Sequence, residues 1–396
     1  MNPSRIKKLL QDSGAKSAVV TGPEELVAPE SVGLESAPAV PSRRRRPAVG
    51  SVRFAWLGSG HCGGRILAAF RSLGYGKTLA VNTTRRDLDR LELPASHKML
   101  LDIGQEGAGK DMALGRHAVE SHQQKILERM HKSFGGDTDH VMLCFGAGGG
   151  TGGGSVVELV SLARSYVRQI GLQRTGKSVG VIMTLPTAGE AASGVVGRNA
   201  SIVARELTLM AHRGEISPLV IIDNDRVCPS QSNLTVKSYW PTINRRIAEL
   251  FDTFNRQSWI PSEYTAFDPA DYSSILTAGG CAVMGYTEIR DLYDRNCITR
   301  AIRGRLDQSL LAGSFDLSTA RVIGGLVIGG QNQFAEIPGL AETIQYAFDT
   351  LAQVAGNATV HRGIYEDDRE VLRLYILLGG LEAPDARLRR LTHSSQ

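Results

Sequence analysis

Short apolar runs alternate with helical patterns along the first half of the chain. Runs rich in Val, Ile and Leu predict strands at 52–57, 78–81, 141–145, 179–184 and 219–222. Helical spacing of apolar residues follows the first and the third of these runs. Strands that alternate with helices predict a Rossmann-like α/β fold, in which helices cover both faces of a parallel sheet. Ligands of such sheets bind at the carboxyl ends of the strands.

A long amphipathic helix is predicted after this region, at 242–254. Its apolar residues share one face and comprise Ile243, Ile247, Leu250, Phe251 and Phe254. Further alternation predicts a smaller mixed α/β domain, with strands near 280–288, 321–329, 358–365 and 370–378 and helices near 291–311 and 338–354. We therefore divide the chain into an N-terminal arm (1–49), a first α/β domain (50–239), a central helix (240–257), a C-terminal domain (258–382) and a short tail (383–396).

The N-terminal arm differs in composition from the rest of the chain. It is rich in Pro, Ser, Ala and Glu without hydrophobic periodicity, which predicts disorder because such a segment buries little apolar surface. It ends in four arginines, Arg43, Arg44, Arg45 and Arg46. Two interpretations stay open: a solvated linker, or a basic arm that binds an anionic membrane surface, nucleic acid or an acidic partner.

Composition narrows the class of protein further. The formal net charge of +5 demands neither nucleic acid nor an anionic membrane as a partner. The five cysteines form no CxxC pair and the nine histidines are scattered, so we predict reduced thiols and no metal site. No apolar run approaches the roughly 20 residues of a membrane span, and the N-terminus lacks the apolar core of a signal peptide. We expect a cytoplasmic protein without a transmembrane segment.

A first glycine cluster, at 58–64, directly follows a predicted strand and precedes a helix. It matches the GxGxxG pattern, whose glycines let the backbone approach a phosphate at a helix N-terminus. A dinucleotide oxidoreductase would also carry an acidic residue at the end of the second strand, to hold a ribose hydroxyl. That strand instead ends in Asn82, Thr83 and Thr84, which argues against this function.

A second glycine cluster, at 148–154, lies between an apolar strand and a well-patterned helix. At the chain's own glycine content of 44 in 396, six glycines in six given places have a chance of roughly 2 in a million. Successive backbone N–H groups at the start of a helix form a concave anion site that suits a diphosphate or triphosphate. Thr151 and Ser155 would add hydroxyl donors.

The second cluster resembles the signature GGGTG[ST]G of the tubulin/FtsZ superfamily, with Gly153 at the Ser/Thr position. The resemblance extends from about residue 52 to about residue 381, and no Gly-Lys-Ser/Thr of a P-loop follows either cluster. Residues 60–63 are similar to the first phosphate loop, in its tubulin form Gly-Gln-Cys-Gly. Residues 81–83 and 107–116 are similar to the second and third loops.

The resemblance implies a site for GTP or GDP, with Mg²⁺ held mainly by the nucleotide phosphates. Glu190 falls where the family holds the ribose, and Asn224 falls where it reads guanine. Trp240 and Asn244, four residues apart on one helix face, match the pair that stacks on guanine and bonds its edge. The residues implied to bind GTP are Gly60, His61, Cys62, Gly63, Gly64, Asn82, Gly107, Ala108, Gly109, Gly148, Gly149, Gly150, Thr151, Gly152, Gly153, Glu190, Asn224, Trp240 and Asn244.

Catalysis is implied for Asp268 and Asp271, which resemble the carboxylates of the family's synergy loop, Asn-x-Asp-x-x-Asp. In the family these carboxylates reach the γ-phosphate held by the neighbouring subunit and position the attacking water. A polar turn that Asp-Pro initiates is the alternative interpretation of this segment. Ala266 replaces the loop's Asn, and Gly194 stands where FtsZ has a basic residue.

The leading hypothesis is a cytoskeletal GTPase that polymerises head-to-tail with itself and hydrolyses GTP where two subunits meet. Residues 50–239 would then be the GTP-binding domain and residues 258–382 the activating domain. The alternative is a nucleotide-binding filament or scaffold protein with little or no GTPase activity. Because the tail is short and basic, the chain resembles a divergent FtsZ-like paralogue rather than the cell-division ring protein.

Overall fold

The structure is a computed structural model that describes residues 49–228 and 234–393, except 291, 293 and 295. Side chains at 303–307 and at 393 are not described either. The prediction of a disordered arm therefore lies outside the described residues, apart from Val49. Within these ranges, no helix combines the length and the apolar character needed to cross a membrane.

Ten strands form one continuous sheet in the order β3-β2-β1-β4-β5-β6-β7-β10-β8-β9. The strands are β1 (Phe54–Ser59), β2 (Thr78–Asn82), β3 (Lys98–Leu100), β4 (His140–Gly146), β5 (Val179–Leu185), β6 (Leu219–Asp223), β7 (Cys281–Ile289), β8 (Val322–Gly330), β9 (Thr359–Asp367) and β10 (Leu372–Leu381). All neighbours are parallel except β10, which is antiparallel to both β7 and β8. Only two residue pairs, Leu219 with Cys281 and Val220 with Ala282, join β6 to β7.

Helices connect the strands and cover both faces of the sheet. They are α1 (Gly60–Ser72), α2 (Arg85–Asp89), α3 (Met112–Glu120), α4 (Gln123–Phe134), α5 (Gly150–Gln169), α6 (Ala188–Ala191), α7 (Gly194–His212), α8 (Asn224–Val227), α9 (Val236–Gln257), α10 (Pro269–Leu276), α11 (Cys297–Ser309), α12 (Gln331–Glu336), α13 (Leu340–Val354) and α14 (Asp385–His393). Because β1, β5 and β6 are buried along their whole length, their sequences read as continuous apolar runs.

Two hydrophobic clusters lie on opposite faces of the sheet. On one face, β1 to β6 pack against α3, α4, α5 and α7, and the second half of the sheet packs against α11 and α13. On the other face, α1, α9 and α10 cover the sheet around Trp56, which stacks on Phe70 with ring centroids 3.5 Å apart. The long helix α9 buries Ile243, Ile247 and Phe251 here, as its spacing predicts.

The predicted fold class is confirmed. A largely parallel sheet with helices on both faces is followed by a long helix and a mixed set of strands. The segment that the sequence analysis treats as a tail contains α14, whose Leu391 is fully buried. The five-domain division stays a prediction.

Candidate nucleotide site

A cavity of about 750 Å³ lies at the carboxyl ends of β1, β2, β4, β5 and β6. These five strands are neighbours in the sheet and parallel, so the loops that follow them meet at one edge. Most of the predicted GTP-binding residues line this cavity: Gly60, His61, Cys62, Asn82, Gly107, Ala108, Gly109, Gly148, Gly149, Gly150, Thr151, Gly152, Glu190, Asn224, Trp240 and Asn244. The structure therefore brings together residues from six loops, those that follow β1 to β6, and from α9.

Three of the predicted residues, Gly63, Gly64 and Gly153, are buried and do not line the cavity. A Cβ on Gly63 would lie 2.0 Å from the carbonyl oxygen of Cys144, so this glycine lets α1 rest directly on β4. A Cβ on Gly153 would lie 2.8 Å from the carbonyl oxygen of Ala147. Part of each glycine motif thus serves close packing beside the cavity.

Two helices start at the cavity with their backbone N–H groups directed toward its edge. They are α1, whose N-cap is Ser59, and α5, whose N-cap is Gly149. Ser59 makes no side-chain hydrogen bond to its helix, and Gly149 has no side chain that could cap α5. Because the first N–H groups of a helix lack intrahelical partners and carry partial positive charge, both helix starts favour an anion.

Hydroxyl pairs connect the loops around the cavity. Thr83 Oγ1 lies 2.7 Å from Thr151 Oγ1 and joins the loop after β2 to the second glycine cluster. Ser59 Oγ lies 2.7 Å from Ser155 Oγ and joins the end of β1 to α5. Thr151, predicted as a phosphate donor, lines the cavity and has Thr83 as its partner within the protein. Ser155, predicted as a second donor, is fully buried and does not line the cavity.

The cavity also contains charged residues that the sequence analysis did not select. Arg65 and Lys110 line it and provide positive charge. Lys110 has a left-handed backbone with φ of 66°, which is unusual for a residue other than glycine. Asn199 Nδ2 donates to the Lys110 carbonyl at 2.8 Å and helps to hold this conformation. Lys110 directly follows the motif Gly-Ala-Gly at 107–109, and this position in the sequence could have identified it as a cavity residue.

An acidic side chain stands beside the second loop, although residues 81–84 of that loop contain no carboxylate. Asp87, three residues further on, lines the cavity and lies 3.1 Å from His61 Nδ1 through Oδ1. Its Oδ2 accepts a hydrogen bond from Asn82 Nδ2 at 3.4 Å. The first turn of α2 therefore supplies to the cavity a carboxylate that lies outside the glycine and Asn-Thr motifs.

Cys62 has its thiol 3.2 Å from the Thr184 hydroxyl at the edge of the cavity. Burial raises the pKa of this thiol, and the hydrogen bond to Thr184 opposes the shift only in part. The thiol therefore stays protonated at neutral pH, which excludes a role as a thiolate nucleophile.

Within the described ranges, no group of three or more His, Cys, Asp or Glu is placed to hold a metal ion.

The opposite side of the cavity is formed by the loops after β5 and β6 and by α9. Glu190 forms a capping box with Thr187: Thr187 N donates to Glu190 Oε2 at 2.8 Å, and Glu190 N donates to Thr187 Oγ1 at 3.1 Å. Asn224 and Asn244 are buried to 8% and 6% exposure, and Trp240 lies one helical turn before Asn244. This side thus combines an aromatic ring, two amides and a carboxylate.

Asp268 and Asp271 lie outside the cavity, at the start of α10. They form a capping box in which Asp271 N donates to Asp268 Oδ1 at 2.9 Å and Asp268 N donates to Asp271 Oδ2 at 3.0 Å. The other oxygen of Asp271 lies 2.6 Å from His361 Nδ1, and His361 Nε2 lies 3.0 Å from the Ser274 hydroxyl. The carboxylates therefore also fulfil the alternative interpretation, a polar turn that starts a helix.

The parallel sheet, the glycine-lined cavity at its carboxyl edge, the long helix α9 and the mixed C-terminal strands together define a fold of the tubulin/FtsZ class. No protein-family model matches the chain. The chain is 27% identical over 334 residues to the tubulin-like protein CetZ of Pyrococcus abyssi, covering 82% of this chain and 84% of that protein. It is 27% identical over 348 residues to the cell division protein FtsZ 2 of Haloferax volcanii, covering 84% and 76%.

Among solved structures, the GTPγS-form protofilament of TubZ from Bacillus thuringiensis serovar israelensis matches with a TM-score of 0.72. The sequence identity is 19%, and the match covers 88% of this chain and 92% of that chain. The chain is a divergent tubulin/FtsZ-like protein.

Proposed function

We propose that this chain is a cytoskeletal protein that binds GTP and GDP in the cavity and assembles head-to-tail into filaments. One observation carries the proposal: two uncapped helix starts and an aromatic–amide pair face the same cavity. The helix starts, with Arg65 and Lys110, suit the phosphates, and the side with Trp240 and Asn244 suits a stacked, hydrogen-bonded base.

The dimensions of the cavity agree with this ligand. Its volume of about 750 Å³ falls within the roughly 300–1,000 Å³ of ordinary ligand sites. We assign Mg²⁺, which would neutralise phosphate charge, to the phosphates of the nucleotide rather than to a separate protein site. Glu190 would accept hydrogen bonds from the ribose hydroxyls.

Assembly would bring the carboxylates of one copy to the nucleotide of the next. Asp268 is exposed and Asp271 half-buried at the surface, away from the cavity of their own chain. Three large apolar side chains are exposed in the segment that leads to them, namely Trp259, Ile260 and Tyr264. A contact between this surface and the cavity side of a second copy is heterologous, and a heterologous contact that does not close produces filaments. The TubZ structure above is a protofilament in its GTPγS form.

In this arrangement Asp268 and Asp271 would orient a water molecule toward the γ-phosphate of the neighbouring subunit. Phosphoryl transfer requires mainly positioning and charge stabilisation from the protein. A positioned carboxylate that also accepts the water proton contributes about 10²–10⁴-fold.

The second candidate function is a filament or scaffold protein with little hydrolysis. It is favoured by the engagement of both Asp271 oxygens in contacts within the chain, with Asp268 N and with His361 Nδ1. Phosphate release measured against protein concentration separates the two functions. A cooperative rise above a critical concentration supports the GTPase, whereas light scattering without phosphate release supports the scaffold.

The direct test uses equilibrium binding and turnover of the full chain. We expect GTP and GDP to bind, and electron micrographs with GTP to show filaments. Asp271→Asn retains the capping hydrogen bonds and should preserve binding and assembly while it lowers turnover at least tenfold. Unchanged turnover in this variant would remove Asp271 from catalysis. Binding of a nicotinamide dinucleotide in place of guanine nucleotides would overturn the whole proposal.

A further inference from the structure

The C-terminal helix α14 is docked on the GTP-binding half of the chain. It packs against α7, and Leu391 is fully buried there. A Cβ on Gly197 of α7 would lie 2.3 Å from the carbonyl oxygen of Leu391, so the two backbones are in direct contact. Apolar and backbone contacts thus hold α14 in place.

Arg387 projects from α14 and is buried, with 6% exposure. Its Nε donates to Asp223 Oδ2 at 2.6 Å. Its Nη2 has two hydrogens, one of them shared between two acceptors, and donates to Asp223 Oδ1 at 2.9 Å, Asp225 Oδ2 at 3.1 Å and the Pro186 carbonyl at 2.8 Å. These four hydrogen bonds reach the loops after β5 and β6, not the helix α7 on which α14 rests. A guanidinium suits this role because it presents several donors in one fixed plane.

Asp223 and Asp225 connect Arg387 to residues that line the cavity. Asp223 is the N-cap of α8, and its Oδ1 accepts from Asp225 N at 3.2 Å. Asn224, which lines the cavity, lies between them. Asp225 in turn accepts a bifurcated hydrogen bond from the single N–H of Ala188, at 2.9 and 3.0 Å, at the start of the helix that carries Glu190.

We propose that Arg387 is a positioning residue for recognition of the guanine base and ribose, so that α14 forms part of the nucleotide site. This inference rests on the proposed function. The guanidinium fixes Asn224 and Glu190 relative to each other, because it holds both loops at once. Without it, the negative charges of Asp223 and Asp225 lie side by side with no cation between them, and the loops move apart.

The inference also predicts coupling in the reverse direction. If docked α14 strengthens nucleotide binding, bound nucleotide must stabilise the docking of α14 by the same factor. Hydrogen exchange of the amides at 385–393 should therefore slow when GTP or GDP is added.

The experiment compares base selectivity in the full chain. Affinities for GTP, ITP and ATP are measured by competition against a fluorescent GTP analogue. Arg387→Met, which keeps most of the apolar stem, should reduce the preference for GTP over ATP at least tenfold, because both nucleotides lose the ribose contact of Glu190 but only GTP loses the base contact of Asn224. Arg389→Met, an exposed position on the same helix, is the matched control and should leave both affinities unchanged. A role restricted to stability would lower the affinities for all three nucleotides by the same factor and leave the preference for GTP unchanged.

A second variant protects the test against a folding failure of Arg387→Met. Asp225→Ala removes a carboxylate that is 40% exposed and leaves the buried pair of Arg387 and Asp223 intact. It should lower the preference for GTP at least fivefold. If the wild type prefers GTP and both variants keep that preference, the inference about Arg387 is wrong but the proposed function stands. Failure of the wild-type chain to bind GTP or GDP would overturn the proposed function and the inference together.

Discussion

Replacing Gly154 with alanine tests how closely α3 and α5 must approach beside the cavity. A Cβ at this position would lie 2.2 Å from the Met112 carbonyl oxygen, whereas ordinary contacts begin at 3.4 Å. The helices would have to separate by roughly 1.2 Å, the difference between these distances. Because the opposing atom belongs to the backbone, no side-chain rotation relieves the clash.

The cost of this substitution follows from two opposed effects. Overpacking by one methyl group costs about 1–3 kcal/mol. Alanine in a helix is favoured over glycine by about 1 kcal/mol, which offsets part of that cost. Since backbone meets backbone, we expect Gly154→Ala to lower the free energy of unfolding by about 1–2 kcal/mol. Displacement of α3 would also move Lys110, so nucleotide affinity should fall.

Gly149→Ala, in the same glycine cluster, is the matched control. The nearest atom to its Cβ is the Gly146 carbonyl oxygen at 3.7 Å, an ordinary contact. Because alanine caps a helix less well than glycine, the unfolding free energy of this variant should still fall by about 0.5 kcal/mol, less than that of Gly154→Ala. Urea unfolding followed by circular dichroism, without nucleotide, measures both variants. Equal stability of the two variants would show that α3 and α5 do not need this close contact.

Two further predictions concern histidines. His361→Asn places an amide nitrogen near the position of Nδ1, where it can still hold Asp271, so this variant should keep most of the GTP turnover. His361→Gln reaches instead toward Ser274 and should lower GTP turnover about tenfold. Equal turnover in the two variants would argue against a role of His361 in positioning Asp271. Burial lowers the pKa of His140 to about 4, although a hydrogen bond with the Ser217 backbone and the charge of Asp139 both act to raise it. The folded state therefore takes up this proton near pH 4, whereas the unfolded chain takes it up near pH 6.5. The stability that neutral His140 contributes is complete above about pH 6.5 and falls as the pH drops toward 4. His140→Asn should therefore reduce the pH slope of the unfolding free energy in this range by up to one proton. An unchanged slope would contradict the lowered pKa of His140.

Among the described residues, every strand except the three-residue β3 could be predicted, as could the central helix, because their patterns are local. β5 and β6 are buried on both faces and therefore consist of continuous apolar residues. Helix α9 buries one face, which gives Ile243, Ile247 and Phe251 their helical spacing. The glycine clusters could be found for a similar reason: each lies directly between a strand and a helix, so its position at the edge of the sheet follows from chain order.

The sequence could not predict which glycines of those clusters line the cavity and which pack against another backbone. Gly149 and Gly153 look equivalent in the sequence, yet the first lines the cavity and the second is buried against Ala147. Which glycine meets another backbone depends on how α1, α3 and α5 pack. That packing is set by contacts between segments distant in sequence.

The charges around the cavity depend on the same long-range placement. Asp87 reaches His61 because β2 lies beside β1 in the sheet, and Arg387 contacts Asp223 across 164 residues of sequence. A pattern read along the chain records which side chains alternate and where glycines interrupt them. It carries no distance between remote segments, because those distances arise only when strands pair and helices pack against them.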